Sequence, residues 1–296
     1  MNATYLSAKT IKETNFGEIL THCRLVLPEN LPVKVITNGQ RVLINVGEAA
    51  FFPAGSVFEV NSDCERKQID FDYSLIHEEE DLTFLLPLFS NAFILKPKAE
   101  TAEAKEVKPF GFILPITATG SDKAAFKDTT ANLSPVDLVR LIFERVSAGD
   151  PFFFELNSKI LMKTLMSMIG REALTALYGA GEKKPTHDMV GRLSNVVRFI
   201  NEHYSEQITL DDIAAAAPYT RTHLSHLYKT FYGISLFDYL NLVKSYAAGK
   251  ILITEKVSTQ DAFMRAGFTS SSNFNRVFKD VLGYSPRDYV KFKNYD

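Results

Sequence analysis

The strongest constraint on what this chain can fold into is a duplication near its C-terminus. Residues 223–240, "HLSHLYKTFYGISLFDYL", and residues 273–290, "NFNRVFKDVLGYSPRDYV", align at a fixed offset of fifty. Lys229 falls on Lys279, Gly233 on Gly283, Ser235 on Ser285, Asp238 on Asp288 and Tyr239 on Tyr289. The apolar positions match as well: Leu224 with Phe274, Leu227 with Val277, Tyr228 with Phe278, and Phe231 with Val281. Their i, i+3, i+4, i+7 spacing predicts a helix with one buried stripe in each copy. Gly233 and Gly283 stand where a glycine closes a helix. Ser235 and Ser285, each with an aspartate three residues on, predict capped starts for the helices that follow.

Each copy is preceded by a short helix and a tight turn, "TLDDIAAAAPYT" (209–220) and "STQDAFMRAGFTS" (258–270). Thr209 with Asp212 reads as a capping-box start, and Pro218 stops that helix. A short helix, a turn, and a helix with polar side chains in its N-terminal half is the helix-turn-helix layout. The stretch 236–253, "LFDYLNLVKSYAAGKILI", predicts one continuous helix between the copies. A rigid spacer about 25 Å long could hold two reading helices about one turn of B-DNA apart. Lys229 and Lys279, together with Arg221, are placed for phosphates, which give salt-dependent affinity without sequence information. A plain bundle with solvated polar faces is the competing reading, and two copies with matching caps, glycines and turns argue against it.

Charge supports the same division. From Lys183 onward the chain has 15 Lys and Arg against 11 Asp and Glu, a net of +4, while the preceding 182 residues have 18 against 24. A basic C-terminal third behind an acidic remainder hints at a polyanion partner for that third alone. At 296 residues two domains are expected. No apolar run is long enough for a transmembrane helix, and the N-terminus lacks the layout of a secretion signal, so the expected location is the cytoplasm. Cys23 and Cys64 form no metal-ligand spacing and are expected as reduced thiols.

The first 130 residues read mainly as strands. Asn38-Gly39, Gly47 and Pro53-Ala54-Gly55 punctuate β-rich runs between 31 and 60, and further strands are expected at 68–73 and 110–117. Turns at this spacing suggest a sandwich or small barrel. Ser134-Pro135 opens a helix, a second covers 155–179, and "GAGEKKPTH" (179–187) is the best linker. The expected fold is therefore α+β. It comprises a β domain over 1–130, helices over 131–180 that cover the barrel or pair subunits, a linker over 181–187, and an all-α domain over 188–296. The last contains helix-turn-helix units at 209–232 and 258–282.

In "GEAAFFPAGSVFEV" (47–60), Val57 and Phe58 stand where a Pro-x-Gly turn of the cupin type often leads into a histidine ligand. His22 and His77 are isolated, and there is no nucleophile elbow or phosphate loop. No metal, cofactor or catalytic residue is expected. Phe51, Phe52 and Phe58 read either as ordinary core or as the wall of an apolar effector pocket. "HEEEDL" (77–82) reads as a solvated acidic loop, and "GDPFFFEL" (149–156) as aromatic core.

Residues 188–293 resemble the DNA-binding domain of AraC/XylS-type bacterial transcription regulators. The pieces that carry the resemblance are "DDIAAAA", "HLSHLYKTFYGIS", "YLNLVKSYAAGKIL" and "AGFTSSSNFNRVFKDVLGYSPRDYV". The rest resembles, more loosely, the cupin-like β domain with following helices that the family often carries. The resemblance implies a transcription activator binding promoter DNA in the major groove beside RNA polymerase. Its N-terminal domain would sense a small effector or dimerise; control by a partner protein without a small-molecule pocket is the alternative. It puts the base-facing positions at Thr222, Ser225 and His226, and at Ser272, Asn273, Asn275 and Arg276. Arg and Asn are the residue types that pair bidentately with guanine and adenine edges, and Ser and Thr bond to either. Three departures from the family pattern stand out: His226 replaces an arginine, Lys244-Ser245 replaces Arg-Ile, and Ala262-Phe263 replaces Ile-Ala. The last predicts a bulky ring at a normally small packing position.

Overall fold

The computed structural model describes residues 5–61, 63–72, 80–96, 113–117, 134–149, 154–178, 186–255 and 257–295. Eight strands come first: β1 (Leu6–Ile11), β2 (Asn15–Ile19), β3 (Cys23–Pro28), β4 (Val33–Thr37), β5 (Gln40–Ile44), β6 (Ala49–Phe52), β7 (Val57–Val60) and β8 (Arg66–Phe71). Two short helices follow, α1 (Glu80–Thr83) and α2 (Leu86–Phe89), then β9 (Ala92–Lys96) and β10 (Ile113–Thr117). The short helices interrupt a region expected to be mainly strand; α2 starts with Pro87 in its first turn, where the missing N–H costs nothing. Of the stretch 77–82 expected as a solvated loop, residues 77–79 lie outside the described residues and the rest belongs to α1, with Leu82 buried, because an apolar residue there can reach the core; residues 150–153 of 149–156 also lie outside.

The strands form two sheets, ordered β1-β8-β3-β6-β9-β10 and β2-β7-β4-β5, with no strand in common. All pairings are antiparallel except β9 with β10. Asn38 and Gly39, both at positive φ, turn β4 into β5 as their sequence predicts. Within the six-stranded sheet, β3 and β6 are buried on both faces, which explains their largely apolar runs. On one face Val26, Ala50 and Phe52 join Val33, Val35, Phe58 and Val60 of the smaller sheet in one core. On the other, Leu25, Phe51, Phe71 and Phe93 meet helices α3 (Pro135–Ala148) and α4 (Phe154–Tyr178). Ser134 caps α3 through a capping box with Asp137.

From Thr186 the chain is helical. α5 (His187–His203) leads to α6 (Leu210–Ala215), α7 (Arg221–Tyr232), α8 (Leu236–Thr254), α9 (Thr259–Arg265), α10 (Ser271–Leu282), α11 (Pro286–Tyr289) and a closing 3-10 turn. α6 with α7, and α9 with α10, are the paired helices of the two units, and α8 runs unbroken between them. The duplicated caps are all present. Ser235 and Ser285 accept from the Asp238 and Asp288 amides, and Gly233 and Gly283 end α7 and α10 in the left-handed conformation. The apolar stripes are buried as expected, except that Leu227 is only half-buried.

The helical region is docked onto the β region by tyrosines. Tyr232 Oη donates to Phe84 O at 2.7 Å, Tyr246 Oη to Ser90 O at 3.2 Å, and Tyr289 Oη to Gly55 O at 2.7 Å. Tyr284 Oη donates to the Glu59 carboxylate at 3.3 Å. Two glycines allow the approach. A Cβ on Gly55 would come within 2.5 Å of the Tyr246 ring, and one on Gly283 within 2.1 Å of Asn38 O.

Candidate nucleic-acid interface

Each candidate reading helix is capped by the residue before it. Thr220 Oγ1 accepts from the His223 amide and Ser270 Oγ from the Asn273 amide, so each helix starts in the turn that follows its short partner. Thr209 and Asp212 form the expected capping box on α6; the Thr209 hydroxyl and amide hold the Asp212 carboxyl below the usual carboxylate range.

The outer faces are open. Arg221, Thr222, His226 and Lys229 on α7 are exposed, and Ser225 is half-buried. On α10, Ser272, Asn273, Asn275, Arg276 and Lys279 are all exposed. Arg276 is held by its neighbours: Nη2 donates to Asn273 Oδ1 at 3.0 Å, and Nη1 to Asp280 at 3.2 Å. Asn275 Nδ2 donates back to Ser271 O at 2.9 Å. Arg221 pairs with Asp211 at 3.0 Å, both largely exposed, so the pair is weak and a phosphate could replace the carboxylate.

The bulky ring expected at a small packing site packs against the edge of the core. Ala262 is fully buried, whereas Phe263 is half-buried and lies with its ring 5.8 Å from Phe274. Helical rotation thus gives the inner position to the alanine. Phe263 instead lines an open cleft of about 400 Å³ with Thr259, Gln260, Ser271 and Asn275.

In the β region the three phenylalanines are fully buried, and ring contacts surround them. Phe51 meets Phe71, Phe89 and Phe93 with centroids 5.8–6.2 Å apart, and Phe52 meets Phe58 at 5.1 Å. Arg24 lies over Phe58 at 4.9 Å and is bound to Asp70 through Nε at 2.7 Å and Nη2 at 3.1 Å. This buried ion pair carried no signal in the sequence, because a single Arg on a strand usually faces water. Among the docking tyrosines Tyr289 stands out in the sequence, as the repeat partner of Tyr239, but nothing there points to its acceptor, Gly55 O. Cys23 is buried with its thiol pushed up to about 12 by burial, Cys64 is also buried, and neither forms a disulfide. Among the described residues no group of three or more His, Cys, Asp or Glu could hold a metal ion.

Two matched helix pairs with open polar faces, joined by one helix, define a DNA-binding regulator with a double helix-turn-helix. The helix-turn-helix domain family matches residues 213–291. The probable transcription factor PqrA of Proteus vulgaris is 31% identical over 85 residues, covering 29% of this chain and 70% of PqrA. The chain belongs to the AraC/XylS family of bacterial transcription regulators, a family of DNA-binding proteins rather than enzymes. The lactose operon transcription activator of Staphylococcus xylosus is 30% identical over 97 residues, or 33% of this chain and 35% of that one. The chain thus spans about a third or less of the length of the larger curated relatives it matches. ToxT from Vibrio cholerae shares the fold over 99% of this chain and 96% of its own, with a TM-score of 0.50 at 10% identity. Among the described residues no helix is long and apolar enough to cross a membrane.

Proposed function

We propose that this protein is a cytoplasmic transcription activator that places both helix-turn-helix units on promoter DNA beside RNA polymerase. The observation that carries this reading is the pair of equivalent, separately capped helices, α7 and α10, with every polar residue of interest exposed or half-exposed. Thr222, Ser225 and His226 face bases from the first unit, and Ser272, Asn273, Asn275 and Arg276 from the second. Arg221, Lys229 and Lys279 hold phosphates. Footprinting on genomic promoter fragments tests it. The expected result is a protected stretch of about two helical turns; uniform weak protection of every fragment would overturn sequence-specific reading.

The N-terminal region, as a cupin-like barrel made of the two facing sheets, supplies the signal, and α3 and α4 serve subunit pairing, an assignment favoured by the exposed Ile160 on α4. The tyrosine contacts tie both reading units to this region, so a ligand or partner there would shift the population of orientations. ToxT has been seen with an unsaturated fatty acid bound, which favours a small effector here too. An effector acting through Phe51, Phe52 and Phe58 would have to open a packed ring cluster. The cavity at the joint between the two regions is only about 20 Å³, room for a water-sized molecule, and is lined by Thr37, Asn38, Ser56 and Asn91 against Tyr246 of α8. Repeating the footprint with candidate metabolites distinguishes an effector, which changes protection alone, from a partner protein, which must be added.

A further inference from the structure

Gly267 sits in the turn of the second unit, between α9 and α10, with φ +78°. A Cβ there would lie 2.6 Å from Ser205 O, in the loop between α5 and α6. The turn of the second unit is therefore in backbone contact with the segment that leads into the first. The Gly267 carbonyl accepts two hydrogen bonds. One comes from Lys244 Nζ, in the middle of α8, at 2.7 Å. The other comes from Gln207 Nε2, in that same loop, at 3.3 Å.

Lys244 is an expensive choice for this position. It is 8% exposed, and burial alone lowers its pKa, with no carboxylate contributing. Its ammonium lies 5.9 Å from the Phe268 ring centroid. Burying a charge without a counter-charge is unfavourable, and an apolar side chain would fill a helix interior at less cost. What the lysine adds is a directed bond from the linker helix to the turn of the second unit, at the same carbonyl that Gln207 holds from the loop before the first unit. Phe268, next to the bonded carbonyl, packs edge-on against Phe274 of α10 at 5.1 Å. Displacing Gly267 thus displaces the reading helix.

We infer that Lys244 is a positioning residue for DNA reading: with Gln207 it clamps the second unit's turn onto the first unit and sets the spacing at which α7 and α10 meet successive major grooves. This rests on the DNA-binding reading above and adds a source of specificity that touches no DNA. One inserted base pair moves the second groove by about 3.4 Å and rotates it by roughly a tenth of a turn, so only a rigid pair of readers can detect it.

The test uses the full chain, its K244M, K244R and Q207A variants, and a footprinted promoter fragment. Binding is measured at native spacing, with one base pair inserted between the protected segments, and with one segment scrambled. The wild type should bind the inserted fragment about tenfold more weakly. K244M, which keeps the stem and loses the donor, should bind native and inserted fragments within about twofold of each other while matching wild type on the scrambled fragment. K244R keeps a donor and should restore the discrimination. A K244M that discriminates as sharply as wild type overturns the proposal. If K244M does not fold, Q207A at the surface loosens the same carbonyl, and an unchanged spacing preference in Q207A overturns it equally.

A second arm needs no DNA. Spin labels at T230C and D280C, equivalent positions at the ends of α7 and α10, report the distance between the readers, with Cys23 and Cys64 buried out of reach. A narrow distribution that broadens in K244M supports the clamp, and an unchanged one overturns it. A wild type that protects no promoter fragment would sink the DNA-binding reading while leaving this arm to decide the clamp.

Discussion

The two helix-turn-helix units share their mechanics and differ in what they present. Both reading helices start on a hydroxyl cap, Thr220 or Ser270, and end on a left-handed glycine, Gly233 or Gly283. On its outer face α10 carries two asparagines and an arginine, with Arg276 already oriented by Asn273 and Asp280. α7 carries Thr222, Ser225 and His226 instead, shorter groups with one hydrogen-bonding atom each or a ring. Beneath, α10 packs its Phe274 against Phe263 and Phe268 of its own unit, with Phe278 of α10 edge-on alongside. α7 packs inward through its own Tyr228 and Phe231 and touches the N-terminal region directly, through Tyr232 to Phe84 O and a Phe84–Phe231 ring contact of 6.1 Å. The second unit meets that region through its closing glycine and the segment after it. Duplication kept the caps and stops that make a helix-turn-helix. The faces differ: of the exposed candidates, the residue types able to bond bidentately, two asparagines and an arginine, lie on α10.

The strongest way to break this arrangement is at Gly283. Gly283→Ala forces a left-handed alanine, costing about 1–2 kcal/mol, and drives its Cβ into Asn38 O, for a total of roughly 2–4 kcal/mol. Gly233→Ala carries the conformational part. Denaturant unfolding of both variants should rank Gly283→Ala as the more destabilised. Equal losses would mean that the hairpin does not hold the second unit in solution.

Single substitutions separate the reading chemistry of the two units. Arg276→Ala should weaken specific binding by about 1–3 kcal/mol and relax preference at one base pair. His226→Ala should cost under about 1 kcal/mol, because a single hydrogen bond discriminates less than a bidentate pair. Binding to a panel of single-base variants measures both. If His226→Ala costs as much as Arg276→Ala, the two units read equally and the asymmetry drawn above is wrong.

These contrasts show what the sequence makes legible. The C-terminal region could be read almost element by element because a repeat supplies its own control: a cap, stripe or glycine found twice is not chance. Leu227, half-buried where a core position was expected, is the small exception. The β region offered turn signals but no closure, since strand order depends on pairings between residues far apart, such as Arg24 with Asp70 across β3 and β8. That Ala262 lies deeper than Phe263 was not legible, because adjacent helix positions point about 100° apart, and without a neighbouring helix in view the inner one cannot be chosen. Lys244 drew notice only as an unusual residue; its acceptor, Gly267, is 23 positions away and lies in a turn that says nothing about who bonds to it.

Docking can be sharpened with pH. Burial is the main cause raising the phenol pKa of Tyr246, Tyr284 and Tyr289, and Tyr284, beside Glu59, is pushed up to about 12. Above the ordinary tyrosine value of 10.0 the unfolded chain releases these protons while the folded chain keeps them. Their contribution is therefore full below that value and is lost as pH rises through the folded values, Tyr284 giving way near 12. Stability measured from pH 9 upward should fall, and Tyr284→Phe should flatten the first part of the slope. An identical slope in the variant would place the titrating groups elsewhere.

The smallest expected effects concern the lysines, and they test whether the two units share one backbone-tracking role while differing in base reading. Lys279→Ala should weaken all DNA sites alike and reduce the slope of log K against log salt by about 0.9 per phosphate lost. Lys229→Ala, the equivalent change one repeat earlier, should do the same. Because the two positions occupy the same turn of equivalent helices, matched salt slopes with unmatched base preferences is the pattern that duplication followed by divergence requires. If only Lys279→Ala alters the slope, the first unit does not follow the phosphate backbone as the second does, and α7 serves chiefly to dock the N-terminal region.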